Sequence, residues 1–108
     1  MRLLLDESVP SRLRRALPSP AMRTVGEMGW SGVKNGRLLG LAANEFDAFI
    51  TVDKNLRYQQ NLATLPITVV VLDAGSIELR ALLPLVPALE IELASLKART
   101  YIHVQPGG

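Results

Sequence analysis

Three stretches of the chain are apolar without alternation, and each runs into a carboxylate. Residues 2–5 contain Leu3-Leu4-Leu5 and are followed by Asp6-Glu7, residues 48–52 read Ala-Phe-Ile-Thr-Val and are followed by Asp53, and residues 67–72 read Ile-Thr-Val-Val-Val-Leu and lead into Asp73-Ala74-Gly75-Ser76. Continuous rather than alternating apolar character, rich in β-branched residues, predicts strands buried on both faces, as in a parallel sheet. Residues 22–25 predict a shorter strand, and residues 101–104 a last strand at the sheet edge.

Between these runs the apolar spacing changes to three and four. Leu13 and Leu17 mark a helix stripe, with Ser8 as its cap and Pro10 in its first turn, where a missing N–H has no partner to lose. Pro18-Ser19-Pro20 stops that helix. Glycines 26, 29, 32 and 36 predict a loop anchored by Trp30, and Leu38, Leu41, Ala42 and Glu45 predict a helix over 37–46. Asp53 can cap a helix from Lys54 to about residue 62. Ser76 can cap a helical stretch over 77–97, interrupted at Pro84 and Pro87. Strands alternating with helices make βαβ units with right-handed crossovers. The fold class is therefore α/β: a three-layer sandwich with a parallel sheet of four to five strands, one domain over residues 1–108.

Composition narrows the chemistry. With 48% hydrophobic and 20% charged residues the chain reads as globular rather than disordered. It has no cysteine, which excludes disulfides, thiolate zinc sites and cysteine nucleophiles and suits a cytoplasmic location. His103 stands alone near the end, too isolated for a zinc site, and reads as a satisfied or solvent-facing side chain. The N-terminal apolar run is too short for a signal core, and the most apolar window carries four charges and two prolines, so no membrane span is expected. Net charge is +2, which is no strongly basic nucleic-acid binder. The cations are uneven, however: Arg12, Arg14 and Arg15 cluster in the first helix, either as a solvated face or as a phosphate-contacting patch.

The carboxyl ends of parallel strands are where an open α/β sheet builds its crevice. Asp6 and Asp53 are delivered to that edge by neighbouring strands and, as hard oxygen donors, can share a divalent metal. Either can also simply cap the helix that follows it. Asp73 repeats the placement, but its glycine turn favours a turn-forming role. Lys54, Asn55 and Arg57 follow Asp53 and are placed to meet a phosphate, aided by the helix N-terminus. In Tyr58-Gln59-Gln60-Asn61 the ring can stack a base, against the alternative of a hydrated surface turn. Trp30 reads as a lid over the core.

Met1-Arg2-Leu3-Leu4-Leu5-Asp6-Glu7-Ser8-Val9-Pro10, Met28-Gly29-Trp30-Ser31-Gly32 and Ile50-Thr51-Val52-Asp53-Lys54-Asn55-Leu56 together resemble the small PIN-like proteins of the DUF5615 family, relatives of the PIN-domain ribonucleases found as bacterial toxins. The resemblance covers roughly residues 1–75. It implies an acidic site using magnesium or manganese, hydrolysis of RNA phosphodiesters, and a toxin–antitoxin context with a small antitoxin protein as partner. On the matching motifs Asp6 and Asp53 are the catalytic and metal-binding acids. One feature departs from the pattern: where similar sequences place acids before the second helix, this chain has Lys34-Asn35-Gly36-Arg37. Glu7 and Glu45 are the acids available to stand in. Lys54, Asn55, Arg57 and Arg12 are the expected substrate contacts.

Two other function classes fit parts of the pattern. A phospho-acceptor receiver domain shares the acidic pair after strand one and an Asp after strand three, but needs a hydroxyl after strand four and a lysine after strand five, which this chain lacks. A catalytically degenerate PIN-like module, binding RNA or a partner protein, accommodates the Lys34-Asn35 departure. The Leu- and Pro-rich stretch over 82–96 offers it a homo-oligomer face.

Overall fold

A computed structural model of the chain describes residues 1–17 and 21–107. The described residues contain five strands, β1 (Arg2–Leu5), β2 (Ala21–Thr24), β3 (Ala48–Thr51), β4 (Thr68–Leu72) and β5 (Tyr101–Val104), all parallel in one open sheet of order β2-β1-β3-β4-β5. The central strands are the ones with unbroken apolar runs. Every residue of β3 and β4 is buried, including Thr51 and Thr68.

Pleating divides the sheet's side chains between two apolar layers. Leu3, Leu5, Ile50, Val70 and Leu72 face one side, where Leu13 and Leu17 pack with the C-terminal helical segment. Leu4, Phe49, Val69 and Val71 face the other, against Leu38, Leu39 and Ala42 of helix α1 (Asn35–Ala43) and Leu56 of helix α2 (Leu56–Gln59). The three-layer α/β sandwich read from the alternation of elements is thus the observed architecture. Trp30 meets Phe46 edge-on at 6.2 Å, over the rim of this second layer.

Several elements differ in detail from the sequence reading. The first helix is a 3-10 helix (Ser11–Ala16) entered from Pro10, with no side-chain cap. Ser8 does not cap it, because its hydroxyl is turned to Asp6. The stop assigned to Pro18-Ser19-Pro20 lies outside the described residues. The helix expected from Lys54 to residue 62 is one turn of α2 followed by a 3-10 turn, Leu62–Thr64, which Asn61 caps through the Ala63 N–H. The 77–97 stretch is interrupted where the prolines require: α3 (Leu79–Leu82), a 3-10 turn (Leu83–Leu85) and α4 (Val86–Ala94). Ser76 accepts the Glu78 N–H at 3.1 Å, forming the turn that leads into α3. Among the described residues no helix is long and apolar enough to cross a membrane.

Candidate functional site

The strand order reverses direction between β1 and β3, since the chain runs outward from β1 to β2 and then returns to β3 on the other side. That is the switch point at which open α/β sheets leave a crevice beyond the strand ends. Register sets the two carboxylates there. Leu5 pairs with Ile50, and the Asp6 N–H continues the ladder by donating to the Ile50 carbonyl at 2.9 Å.

Thr51, fully buried at the end of β3, is the hub. Its hydroxyl donates to Asp6 Oδ2 at 2.7 Å and accepts the Asp53 N–H at 3.0 Å. Ser8 adds a second hydroxyl, donating to Asp6 Oδ2 at 2.8 Å and accepting the Val52 N–H at 3.4 Å. Asp6 Oδ1 accepts the Glu7 N–H at 2.9 Å. Asp6 Oδ2 therefore has both lone pairs engaged, while Oδ1, with one donor, retains acceptor capacity. Asp53 Oδ1 accepts the Asn55 N–H at 3.0 Å, a local turn bond that orients its carboxylate. Asp6 and Asp53 are each half-buried. Oxygen donors of this kind suit a hard divalent cation, and a group of three or more metal-ligating side chains is not assembled among the described residues.

The remaining sequence candidates separate. Glu7 is exposed and turns to the loop before α1, where its carboxylate accepts the Gly32 N–H at 3.4 Å; Gly32 holds φ +82°, a conformation glycine adopts without strain. Glu45 does not join the site. It follows α1 and precedes Asp47, whose N–H and carboxylate both bond the backbone of Arg2 at the start of β1. This puts Glu45 at the amino edge of the sheet, about 13 Å from the carboxyl edge across the four residues of β3. Arg12 is exposed on the 3-10 helix, whose Leu13 packs on the opposite face of the sheet from Leu56 of α2, and it does not line the cleft that holds Lys54 and Arg57. Its neighbour Arg14 is structural, donating to the Met22 carbonyl at 2.6 Å and pairing with Glu27 at 2.8 Å. Glu27 has its pKa lowered, first by its bond from the Thr24 backbone and then by Arg14.

No protein-family model, curated protein or solved structure matches this chain.

Beside the acidic pair, across β4 and β5, lies a cluster built on an Asp73–His103 pair that the sequence does not display. Asp73, closing β4, accepts from His103 Nε2 at 3.0 Å and lies 3.6 Å from the Lys54 ammonium. The His103 hydrogen bond is the main reason that the Asp73 carboxyl titrates below its ordinary value. An ionised Asp73 can only accept, so His103 Nε2 carries the proton of this bond, while Nδ1 lies 3.5 Å from the Tyr101 hydroxyl. Tyr101 is pushed up in pKa, foremost by burial. Lys54, Asn55, Arg57, Tyr58, Asp73 and His103 line a cleft of about 310 Å³. A second cleft, of about 470 Å³, lies before α1 and includes Lys34 and Arg37. Lys34 and Arg37 thus bring cations to the loop side where Glu7 accepts the Gly32 N–H. A Cβ added at Gly36 would stand 3.8 Å from the Gln60 amide nitrogen, so the first turn of α1 runs beside the end of α2. The one signal for the Asp73–His103 pair was their position at the ends of two predicted strands. Their contact depends on the register pairing Val71 with His103 and Leu72 with Val104.

Proposed function

We propose that the protein is a metal-dependent ribonuclease of PIN-like type that hydrolyses RNA phosphodiesters in the cytoplasm as the toxin of a toxin–antitoxin pair. The observation that carries the reading is the meeting of the Asp6 carboxylate and the Asp53 backbone on one buried hydroxyl, Thr51, at the switch point of the sheet. Asp6 Oδ1 and the Asp53 carboxylate are the side-chain groups that would hold magnesium or manganese. A metal bound there supplies an activated water and neutralises charge developing on the scissile phosphate. The chain's own part is positioning: Ser8 and Thr51 fix Asp6, the Asn55 N–H fixes Asp53, and Lys54 and Arg57 meet the substrate backbone from the adjacent cleft.

The test is incubation of labelled RNA with purified protein and manganese, beside Asp6→Asn and Asp53→Asn. The expected outcome is cleavage that falls by roughly 100-fold or more in each variant, since losing a ligand exceeds the 10–100-fold loss of an outer-shell partner. Cleavage surviving both substitutions refutes the reading. A second reading, a degenerate module that binds RNA or a partner protein, is favoured by the extent to which Asp6 Oδ2 and Asp53 Oδ1 already serve the local backbone and hydroxyls; absence of cleavage with any metal would support it. A receiver domain shares the strand order, but β4 here is followed by Asp73 and β5 by Gln105, without that chemistry's hydroxyl and lysine.

A further inference from the structure

We infer that the cleft beside β4 and β5 is a base-stacking subsite that takes one nucleotide of a single-stranded RNA, with Tyr58 as its platform. The inference rests on the ribonuclease reading for its choice of ligand and goes beyond it by assigning a group for the base. Tyr58 is 72% exposed although it is a large aromatic side chain. Burial would ordinarily remove such a ring from water. The Arg57 guanidinium lies over the ring at 4.7 Å from its centroid and donates to the Tyr58 hydroxyl. One face of the ring is therefore held by a cation, which fixes its orientation before any ligand arrives, and the high exposure leaves the other face to solvent. An open aromatic face held in place is what a nucleobase of any identity can stack on.

The surroundings fit the rest of a nucleotide. Lys54 and Arg57 bring two positive charges to the cleft, and the single carboxylate, Asp73, is engaged by His103 at 3.0 Å and Lys54 at 3.6 Å. The balance is cationic, as a phosphate requires. The volume of about 310 Å³ is at the small end of ligand sites, room for one nucleotide unit rather than a larger molecule. Lys54 directly follows Asp53, so a strand whose base rests on Tyr58 has its backbone beside the acidic pair.

Binding is measured by fluorescence anisotropy in low salt with EDTA, so that nothing is cleaved. The probe is a labelled oligouridylate of about ten nucleotides, compared with an abasic strand of equal length and with free uridine monophosphate as competitor. The expected result is that Tyr58→Ala weakens oligouridylate binding about tenfold, within the range known for loss of one stacking contact. Tyr58→Phe, which keeps the ring, retains wild-type affinity. The abasic strand binds wild type and Tyr58→Ala alike, and the monophosphate competes only weakly because it lacks the neighbouring phosphates. Unchanged affinity in Tyr58→Ala, Tyr58→Phe as weak as Tyr58→Ala, competition by the monophosphate as strong as by the oligomer, or no binding by wild type would each overturn the proposal. Tyr58-dependent binding without cleavage under any metal would instead remove the nuclease reading and leave the subsite standing.

Discussion

Replacing Thr51 by valine removes one oxygen from the hub of the carboxyl edge while keeping the β-branch that suits a buried strand. Three hydrogen bonds go with it, the weakest of them the 3.3 Å contact with the Ser8 hydroxyl, which keeps its own bond to Asp6. The bond to Asp6 Oδ2, 2.7 Å long, has a charged acceptor, a class that contributes about 1.5–3 kcal/mol. Asp6 is half-buried and water can replace part of that bond, so the lower end, about 1.5 kcal/mol, applies. The Asp53 N–H, 3.0 Å from the hydroxyl, is left without this acceptor, which costs about 1 kcal/mol more. The expected loss is therefore about 2.5 kcal/mol, or roughly 10 °C in Tm for a chain of this size. Thr51→Ser makes the opposite cut: it keeps the hydroxyl and deletes one buried methyl, for about 1 kcal/mol. Urea and thermal unfolding followed by circular dichroism give both numbers. Valine is expected to be the more damaging substitution. If serine costs more than valine, the site is held by packing alone and the hydroxyl hub is not what aligns the two acids.

Three further outcomes follow from the geometry. Phe49→Ala, at a fully buried position in a central strand, should lose about 3–5 kcal/mol in urea unfolding; a loss below about 1 kcal/mol would mean that the second apolar layer is not packed as described. The Asp73 carboxyl has a lowered pKa in the folded chain, so the stability it contributes is present above its unfolded pKa of about 3.9 and is lost as pH falls through the lower folded value. Wild type should accordingly exceed Asp73→Asn in stability at pH 6, with the difference vanishing towards the acid end of the titration; a difference that grows on acidification contradicts the assignment. Glu45→Gln, at the opposite edge of the sheet, should leave metal affinity and RNA cleavage at wild-type levels, and a tenfold change in either would mean that the separation described is wrong.

The parts of the fold most legible in the sequence are those in which one force dominates. Residues 67–72 have no polar side chain other than a threonine, so they can only be a doubly covered strand, and Pro84 and Pro87 interrupt the last helical stretch because no backbone compensates for two missing N–H donors. Local competition hid the rest. Ser8 is a good helix cap by residue type, yet a carboxylate two residues back and a hydroxyl across the sheet offered its oxygen stronger partners. The helix after Asp53 has only Leu56 to bury, and without a second apolar residue on its face it stops after one turn. Asp6 and Asp53 could be placed at one edge from strand order alone, but Thr51, which joins them, reads either as a hydroxyl near that edge or as an ordinary β-branched strand residue, and the sequence does not choose between the two. Asp73 and His103 lie thirty positions apart, and their pairing follows from strand register, which a single sequence does not display.

Manganese binding followed by electron paramagnetic resonance tests most directly whether Asp6 and Asp53 hold one cation between them. Wild-type protein should take up a single Mn²⁺ that magnesium displaces, and Asp6→Asn and Asp53→Asn should each weaken it to a similar degree, with the double variant little worse than either alone because both ligands serve the same ion. Uptake that is indifferent to one of the two substitutions, or losses that simply add, would mean that the two carboxylates do not share an ion.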